Sequence, residues 1–278
     1  MPNPASSAPE IGNVRSYWEA SPLYGFELGE PGTPEFFEAL DRIKREDVER
    51  FSLDYWAFDA FPGKQVLDVG CGPGWVTVQY AAGGADVTSV DLTDRAVGLT
   101  RQQLDQRCLS AKVRQANAEE LPFDEESFDL VVSSGVLHHT PDTDKAFREC
   151  FRVLKRGGTA KITLYRLGLL HGPVVFPLTQ RLMRLLSVKH PGADMAREAD
   201  TVDEFVRQYD GKDNPVGIAE TDAQWARRLE GVGFRVLGHE VHFFPKRFVP
   251  MGRYLPRFVH HGLDRAVGTM VYFELAKP

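Results

Sequence analysis

The chain of 278 residues has few cysteines, no long apolar run and no excess of basic residues. Its cysteines, Cys71, Cys108 and Cys150, cannot all pair and lack metal-ligand spacing, so we expect no metal and a reducing, cytoplasmic location. No apolar stretch reaches the length of a membrane span. The first residues lack the basic and apolar regions of a secretion signal. These absences argue against stable membrane insertion and secretion.

The charge balance limits the class of partner. Acidic residues outnumber basic ones, and the net charge is -6 at pH 7. A protein that covers nucleic acid usually presents a broad basic surface, because it must neutralise several phosphates. We therefore expect a small-molecule partner and no nucleic acid.

Strand-like and helix-like patterns alternate along most of the chain. Strands are predicted near 65–69, 86–91, 111–115, 128–133, 158–164, 234–241 and 269–276. Helices are predicted at 75–82, 93–106, 144–154 and 222–229. Such alternation is typical of an α/β fold, in which a doubly wound parallel sheet has helices on both faces.

The most informative segment is a glycine-rich turn directly after the first strand. Asp68 and Val69 end that strand and lead into Gly70-Cys71-Gly72-Pro73-Gly74. Glycine permits a positive φ and lets a ligand approach bare backbone, while the next helix offers unpaired N–H groups at its start. Dinucleotide-binding folds use the same device, so the turn alone fits a dehydrogenase as well.

A second acidic residue follows at the end of the next strand. Asp91 lies about twenty residues past the turn, where a carboxylate can accept hydrogen bonds from both hydroxyls of a ribose. The alternative is that Asp91 caps the following helix, a task for which Thr93 and Asp94 are equally suitable.

Together with two later blocks, these residues resemble the class I S-adenosylmethionine-dependent methyltransferases. The resemblance rests on 68–74, Asp91, 117–123 and 127–139. It covers about residues 60–165 and is greatest to the small-molecule subgroup that includes ubiquinone/menaquinone-type and sterol-type enzymes. It implies a Rossmann-like, seven-stranded, mostly parallel sheet whose last strand is antiparallel. It also implies S-adenosyl-L-methionine as cofactor and S-adenosyl-L-homocysteine as product.

The resemblance further implies a set of cofactor-binding residues. Asp68 would hold the ammonium group, and Asn117, where family members carry Asp, would read the adenine edge with a changed hydrogen-bonding pattern. Backbone carbonyls at the end of the fourth strand would meet the amine. The implied set is Asp68, Val69, Gly70, Cys71, Gly72, Gly74, Asp91, Leu92, Asn117, Ala118, Ser133, Ser134, Gly135, Tyr17 and Trp18.

Two histidines follow the fourth strand at the mouth of the expected site. His138 or His139 could deprotonate a hydroxyl, amine or thiol, because the pKa of imidazole lies near working pH. The alternative is that one of them packs against the cofactor or caps the next loop. An acceptor that is already nucleophilic needs no base.

The expected function is methylation of O, N, S or C of a small molecule by in-line displacement, an activity of class EC 2.1.1.-. RNA or protein methylation is one alternative, and a non-catalytic regulatory module that binds S-adenosylmethionine is another. The oligomeric state, monomer or homodimer, stays open.

The chain divides into four expected parts. They are a helical N-terminal lid (1–61), the cofactor-binding core (62–165), an inserted cap on the substrate side (166–218) and the rest of the core (219–278), with a basic insertion near 244–266. The apolar face of the cap packs on the core, lines an apolar pocket or touches a membrane surface. The basic insertion is a solvated face or an anion site. Candidate substrate contacts are Arg15, Tyr24, Tyr209 and Asn214.

Overall fold

The computed structural model describes residues 10–21, 28–48, 51–172, 174–185, 199–244, 254 and 256–278. Tyr24, the middle of the cap (186–198) and part of the basic insertion (245–253) lie outside the described residues. The predicted contact of Tyr24 with substrate therefore stays a prediction.

A seven-stranded sheet forms the centre of the fold. Its strands are β1 (Gln65–Val69), β2 (Asp86–Asp91), β3 (Lys112–Gln115), β4 (Phe128–Ser134), β5 (Leu154–Tyr165), β6 (Arg235–His242) and β7 (Met270–Ala276). They lie in the order β3-β2-β1-β4-β5-β7-β6. The pairs from β3 to β5 are parallel, and β7 lies antiparallel between β5 and β6. The predicted fold class and the antiparallel last strand are confirmed.

Ten helices accompany the sheet in the described residues. They are α1 (Ile11–Ala20), α2 (Pro34–Ile43), α3 (Ser52–Trp56), α4 (Trp75–Ala82), α5 (Asp94–Gln106), α6 (Thr143–Val153), α7 (Val175–Leu185), α8 (Val202–Arg207), α9 (Asp222–Val232) and α10 (Arg257–Val267). A π-helical turn (Lys44–Val48) follows α2, and short 3-10 turns lie at Leu137–His139, Leu169–His171 and Gln208–Asp210. Threonine caps begin several helices: Thr33, Thr93, Thr201 and Thr221 each accept a hydrogen bond from a backbone N–H in the first turn.

Two predicted boundaries are wrong. The helix predicted at 144–154 ends at Val153, because Leu154 pairs with Phe128 and begins β5, which is 12 residues long. The helix predicted at 222–229 continues to Val232 and stops at Gly233, whose φ of 122° takes the chain out of the helical conformation.

Two hydrophobic cores lie against the central strands. One contains Phe147 of α6 and Trp225 of α9, packed with Val131 of β4. The other contains Tyr80 of α4 and Trp56 of α3, packed with Leu130 of β4. Successive β4 residues thus enter different cores, as expected for a parallel strand covered on both faces. This fixes the carboxyl ends of β1, β2 and β4, where the candidate site lies.

No helix in the described ranges is both long enough and apolar enough to cross a bilayer.

Candidate functional site

A cavity of about 150 Å³ lies at the carboxyl ends of β1, β2 and β4. After β1, the chain forms β2 and β3 on one side of β1 and then crosses the sheet to form β4 on the other side. Ligands of open α/β sheets bind at such a switch point. Lining residues include Ile11, Val14, Trp18, Leu40, Lys44, Asp68, Val69, Gly70, Cys71, Gly72, Pro73, Asp91, Leu92, Thr93, Asn117, Ala118, Ser134, Gly135, His139, Thr140 and Asp210.

The glycine turn forms the floor of this cavity, and its glycines differ in their surroundings. Gly70 has a φ of 82°, and a Cβ added there would lie 2.4 Å from the side chain of Val136. Gly74 has a φ of 89°, and its Cβ would lie 2.9 Å from the backbone of Thr100. Gly72 also has a positive φ, of 52°, but a Cβ there meets no atom within 4 Å. Gly70 and Gly74 are therefore required by packing, while Gly72 leaves space on the cavity side.

Asp68 is a buried carboxylate with one free oxygen. Its Oδ2 accepts a hydrogen bond from the Thr77 hydroxyl at 2.7 Å, whereas Oδ1 has no partner among the described residues. Burial raises the pKa of Asp68 to about 7, and the nearby Asp91 adds to the rise. A buried, unsatisfied carboxylate oxygen costs free energy. A positively charged donor group on a ligand would supply the hydrogen bond that Oδ1 of Asp68 lacks.

Asp91 is tied to the glycine turn and to the next helix. Its Oδ2 accepts from the Gly72 N–H at 3.0 Å, and its Oδ1 accepts from the Thr93 N–H at 3.0 Å and the Thr93 hydroxyl at 2.9 Å. Burial raises the pKa of Asp91. The helix cap itself is Thr93, which accepts from the Ala96 N–H. Asp91 thus braces the turn and also lines the cavity, so capping of the helix does not account for its position.

Asn117 lies on the cavity wall beyond β3. Its side-chain oxygen accepts a hydrogen bond from the Glu119 N–H at 3.0 Å. With the oxygen engaged in this turn, the amide nitrogen is the group that remains for a ligand.

The predicted residues divide into two groups. Asp68, Val69, Gly70, Cys71, Gly72, Asp91, Leu92, Asn117, Ala118, Ser134, Gly135, Trp18 and His139 line the cavity. Gly74, Ser133, Tyr17, His138, Arg15, Tyr209 and Asn214 lie outside its lining. Ser133, for example, is buried and donates its hydroxyl to the Val69 carbonyl at 2.9 Å, so its side chain joins two strands.

Arg15 does not line the cavity and instead contacts Asp94 at the start of α5. Its guanidinium lies 3.0 Å from the Asp94 carboxylate, and both side chains are exposed. The neighbouring Glu19 accepts from the backbone N–H groups of Asp94 and Arg95, at 3.0 and 3.1 Å. An acidic side chain at a helix N-terminus is favourable, because it meets unpaired N–H groups and the positive end of the helix dipole. This contact holds α1 against the start of α5.

The two histidines have different environments. His138 is fully buried, neither ring nitrogen has a partner in the described part of the chain, and burial lowers its pKa well below the usual value. His139 faces the cavity; its Nε2 lies 3.0 Å from the Asp210 carboxylate and its Nδ1 lies 2.6 Å from the Val216 carbonyl. Trp18 of α1 packs edge-on against the His139 ring.

Tyr209 and Asn214 support the loop that carries Asp210. The Tyr209 hydroxyl lies 2.8 Å from Nε2 of His171, and burial raises the Tyr209 pKa. Asn214 is buried, and its side-chain oxygen accepts from the Val216 N–H at 3.3 Å. Asn214 is therefore an interior residue, and Tyr209 is partly buried; neither lines the cavity.

Sequence reasoning missed two charged residues of the cavity wall. Lys44, in the π-helical turn, is buried beside the ring of Trp75. Asp210 ends the 3-10 turn of the cap and reaches the cavity from more than a hundred residues beyond Asp68. A π-helical turn is frequent at functional sites but leaves no clear sequence pattern. Asp210 stands in a run of turn formers that a tight loop explains equally well.

Comparison with known proteins identifies the core of the chain. Residues 67–162 match the family described as a methyltransferase domain. The ubiquinone/menaquinone biosynthesis C-methyltransferase UbiE of Vibrio parahaemolyticus is 34% identical over 137 residues, which is 48% of this chain and 50% of that protein. The ubiquinone biosynthesis O-methyltransferase of Alkalilimnicola ehrlichii is 36% identical over 115 residues, 40% of this chain and 47% of that protein. The chain thus spans about half the length of these curated relatives.

A solved structure extends the similarity of the fold to the ends of the chain. The [4+2]-cyclase SpnF has a TM-score of 0.61 and 19% sequence identity, and the match covers 98% of this chain and 97% of that one. At 19% identity, this similarity shows the fold only. The chemistry has to be inferred from the residues of the site.

Proposed function

Since the central domain of this chain belongs to the class I S-adenosylmethionine-dependent methyltransferases, we propose that the protein methylates a small-molecule acceptor. The observation that carries the proposal is the free Oδ1 of buried Asp68, beside a glycine turn that Asp91 braces. A ligand with an ammonium group and a ribose would supply a cation to the first carboxylate and hydroxyl donors to the second.

The cavity residues fit the cofactor in the order of the strands. In the proposed arrangement Asp68, at the end of β1, holds the ammonium group, and Asp91, at the end of β2, accepts from the ribose hydroxyls. Asn117 and Ala118, just beyond β3, meet the adenine. Gly72 allows close approach to the backbone, because its surroundings are open. We call this set (68–74, 91–93 and 116–118) the cofactor end of the cavity.

The other end of the cavity suits the acceptor. Trp18 of α1, His139 and Thr140 after β4, and Asp210 of the cap form what we call the acceptor end. The cavity lining also includes an apolar wall, with Ile11, Val14 and Leu40 among its residues. An acceptor with an apolar ring fits such a wall. Both relatives are named as methyltransferases of quinone biosynthesis, which supports the same class of acceptor.

Bound S-adenosylmethionine supplies an electrophilic methyl group on a positively charged sulfur. The positive charge disappears as the methyl group leaves, so the protein has little charge to stabilise in the transition state. Trp18 and the apolar wall would exclude water, and α1 would hold the acceptor in line with the reacting methyl. Orientation and exclusion of water are then the main sources of rate.

The proposal is tested first by calorimetry with S-adenosylmethionine and S-adenosylhomocysteine. We expect micromolar binding of both, and absence of binding would contradict the proposal. Asp91→Ala removes an acceptor for two ribose hydroxyls, so the affinity should fall about 100-fold, from roughly 3 kcal/mol of charged hydrogen bonds. The matched control is Asp86→Ala at the opposite, exposed end of β2, which should leave the affinity unchanged.

The second test is transfer of label from methyl-labelled S-adenosylmethionine into a small-molecule metabolite extract. A labelled product identifies the acceptor and the methylated atom. Label found in RNA or protein, with none in small molecules, would favour the alternative acceptor classes. Tight cofactor binding without any transfer would favour a non-catalytic binding module.

A further inference from the structure

The acceptor end of the cavity contains a carboxylate that has no part in the proposed cofactor contacts. In the strand order, β5 lies beyond β4, on the side away from β2 and β3. Tyr165, the last residue of β5, donates a hydrogen bond to Oδ2 of Asp210. Asp210 therefore lies next to the end of β5, whereas Asn117 lies just past β3 at the opposite side of the cavity.

The Asp210 side chain is held firmly but keeps one oxygen available. Its Oδ2 receives the Tyr165 hydroxyl and lies 3.0 Å from Nε2 of His139. The Tyr17 hydroxyl of α1 donates to the backbone carbonyl of the same residue. No described residue donates a hydrogen bond to Oδ1, and the side chain is 16% exposed on the cavity wall. Because Asp210 lines the cavity, its carboxylate lies within reach of an occupant of the acceptor end.

Both ring nitrogens of His139 are engaged by neighbouring protein groups. Its Nδ1 faces the Val216 carbonyl at 2.6 Å and the Asn214 amide nitrogen at 3.4 Å, and its Nε2 faces the Asp210 carboxylate at 3.0 Å. His138 is buried, and it lies outside the cavity lining. Among the described residues, Asp210 is therefore better placed than either histidine to take a proton from the acceptor.

We propose that Asp210 accepts the proton of the methyl acceptor, and that the acceptor belongs to the class that carries a proton on the methylated atom, such as a phenol or enol. This inference rests on the proposed methyl transfer. His139 and Tyr165 hold the carboxylate in place.

The step balances without a further reactant. The acceptor's O–H bond breaks and its proton moves to Oδ1 of Asp210, while the oxygen forms a new bond to the methyl carbon. The bond between that carbon and sulfur breaks, and its electron pair stays on sulfur. The products are the methyl ether, S-adenosylhomocysteine and protonated Asp210, which returns its proton to solvent. A tertiary amine or a thioether would need no such base.

The test compares Asp210→Asn, His139→Gln and the control Asp213→Asn. Asp213 lies three residues further on the same loop, but its side chain is exposed. Each protein is assayed for S-adenosylmethionine affinity by calorimetry and for label transfer into the metabolite extract over a dilution series. For Asp210→Asn we expect a transfer rate at least about 100-fold lower at every dilution, with cofactor affinity within about twofold of wild type.

The two other variants separate this role from its alternatives. His139→Gln keeps a donor toward Asp210, so its transfer rate should stay within about tenfold of wild type. A larger loss in His139→Gln than in Asp210→Asn would make the histidine the base and overturn the proposal. Asp213→Asn should behave like the wild type.

Three further results would overturn the proposal for Asp210. They are unchanged transfer in Asp210→Asn, a loss that disappears at the highest extract concentration, and a parallel loss of cofactor affinity. The second result would indicate a counter-charge for a cationic acceptor, and the third a merely structural role of the loop. A wild-type protein that binds no cofactor or transfers no label would instead contradict the proposed function itself.

Discussion

The two ends of the cavity are built in different ways. At the cofactor end, the contacts join residues close in sequence or on adjacent strands: Thr93 bonds to Asp91 two residues away, and Gly72 bonds to Asp91 across 19 residues. At the acceptor end, Tyr17 bonds to Asp210 across 193 residues, and His139 bonds to Val216 across 77. One end depends on a local strand–turn–helix unit, while the other forms only when α1, the ends of β4 and β5 and the segment 208–216 have come together.

From this difference we expect substitutions to be tolerated more readily at the acceptor end than at the cofactor end. The glycine turn follows from the backbone conformation of one βα unit, so its geometry and its sequence are tightly linked. The acceptor end combines side chains from separate elements, any one of which can be replaced without rebuilding the sheet. A single cofactor site can therefore serve many acceptors, as expected when function depends on sites carried by a common fold.

The largest effect is expected at the cofactor end, from adding one methyl group to a glycine. Gly70→Ala places Cβ 2.4 Å from Val136 at a φ of 82°, so we expect about 3 kcal/mol of lost unfolding free energy from strain and overpacking. Gly72→Ala has only the conformational strain, about 1 kcal/mol, but should weaken cofactor binding at least about tenfold because the methyl group enters the cavity side. Urea unfolding and calorimetry measure the two quantities. Equal losses of stability would contradict the distinction between a packing glycine and a ligand-facing glycine.

The next effect is the pH dependence of stability caused by Asp68. Its pKa is about 7 in the folded protein and 3.8 in the unfolded chain, so between these values the folded state holds a proton that the unfolded state has lost. The stabilising contribution is full below pH 3.8 and is lost as pH rises to 7. Between pH 5 and pH 8 the ligand-free wild type should lose about 3 kcal/mol more unfolding free energy than Asp68→Asn.

Urea unfolding across this pH range measures the difference between the two proteins, and Asp86→Asn, at an exposed position, is the control. Parallel pH profiles of wild type and Asp68→Asn would show that the carboxyl is not buried as described.

The smallest effect is expected from the docking of α1, the helix that carries Trp18 of the acceptor end. Glu19→Ala removes the acceptor for two N–H groups at the start of α5 and should lower the local stability of α1 by about 1 kcal/mol. Arg15→Ala breaks only an exposed ion pair and should cost less than about 0.5 kcal/mol. Hydrogen exchange of the α1 amides measures both, and the α4 amides should not change in either variant. Faster exchange in α4 would mean that α1 and the glycine-turn unit unfold together, and it would contradict their separate construction.

The sequence was most informative where structure is local. The strand ending in Asp68, the positive-φ glycines and the strand ending in Asp91 were predictable because backbone geometry restricts the residues that can occupy them. The boundary at Leu154 was not predictable from the sequence. The run Lys155-Arg156-Gly157-Gly158 also fits the end of a helix, because basic residues and glycine are common there. Only the pairing of Leu154 with Phe128 shows that a strand begins at this point. The sequence also could not predict where Arg15, Tyr17 and His138 lie. Their contacts are with residues of other elements, which are far away along the chain.

By itself, the sequence determined the α/β fold, the glycine turn and the carboxylates Asp68 and Asp91 near the ends of β1 and β2, because these follow from periodicity and from local backbone conformation. Only the tertiary structure decided that both ring nitrogens of His139 meet protein partners and that Asp210 lines the same cavity. Those contacts join parts of the chain that are far apart in sequence, and they arise only when the ends of β4 and β5, α1 and the cap pack at one edge of the sheet.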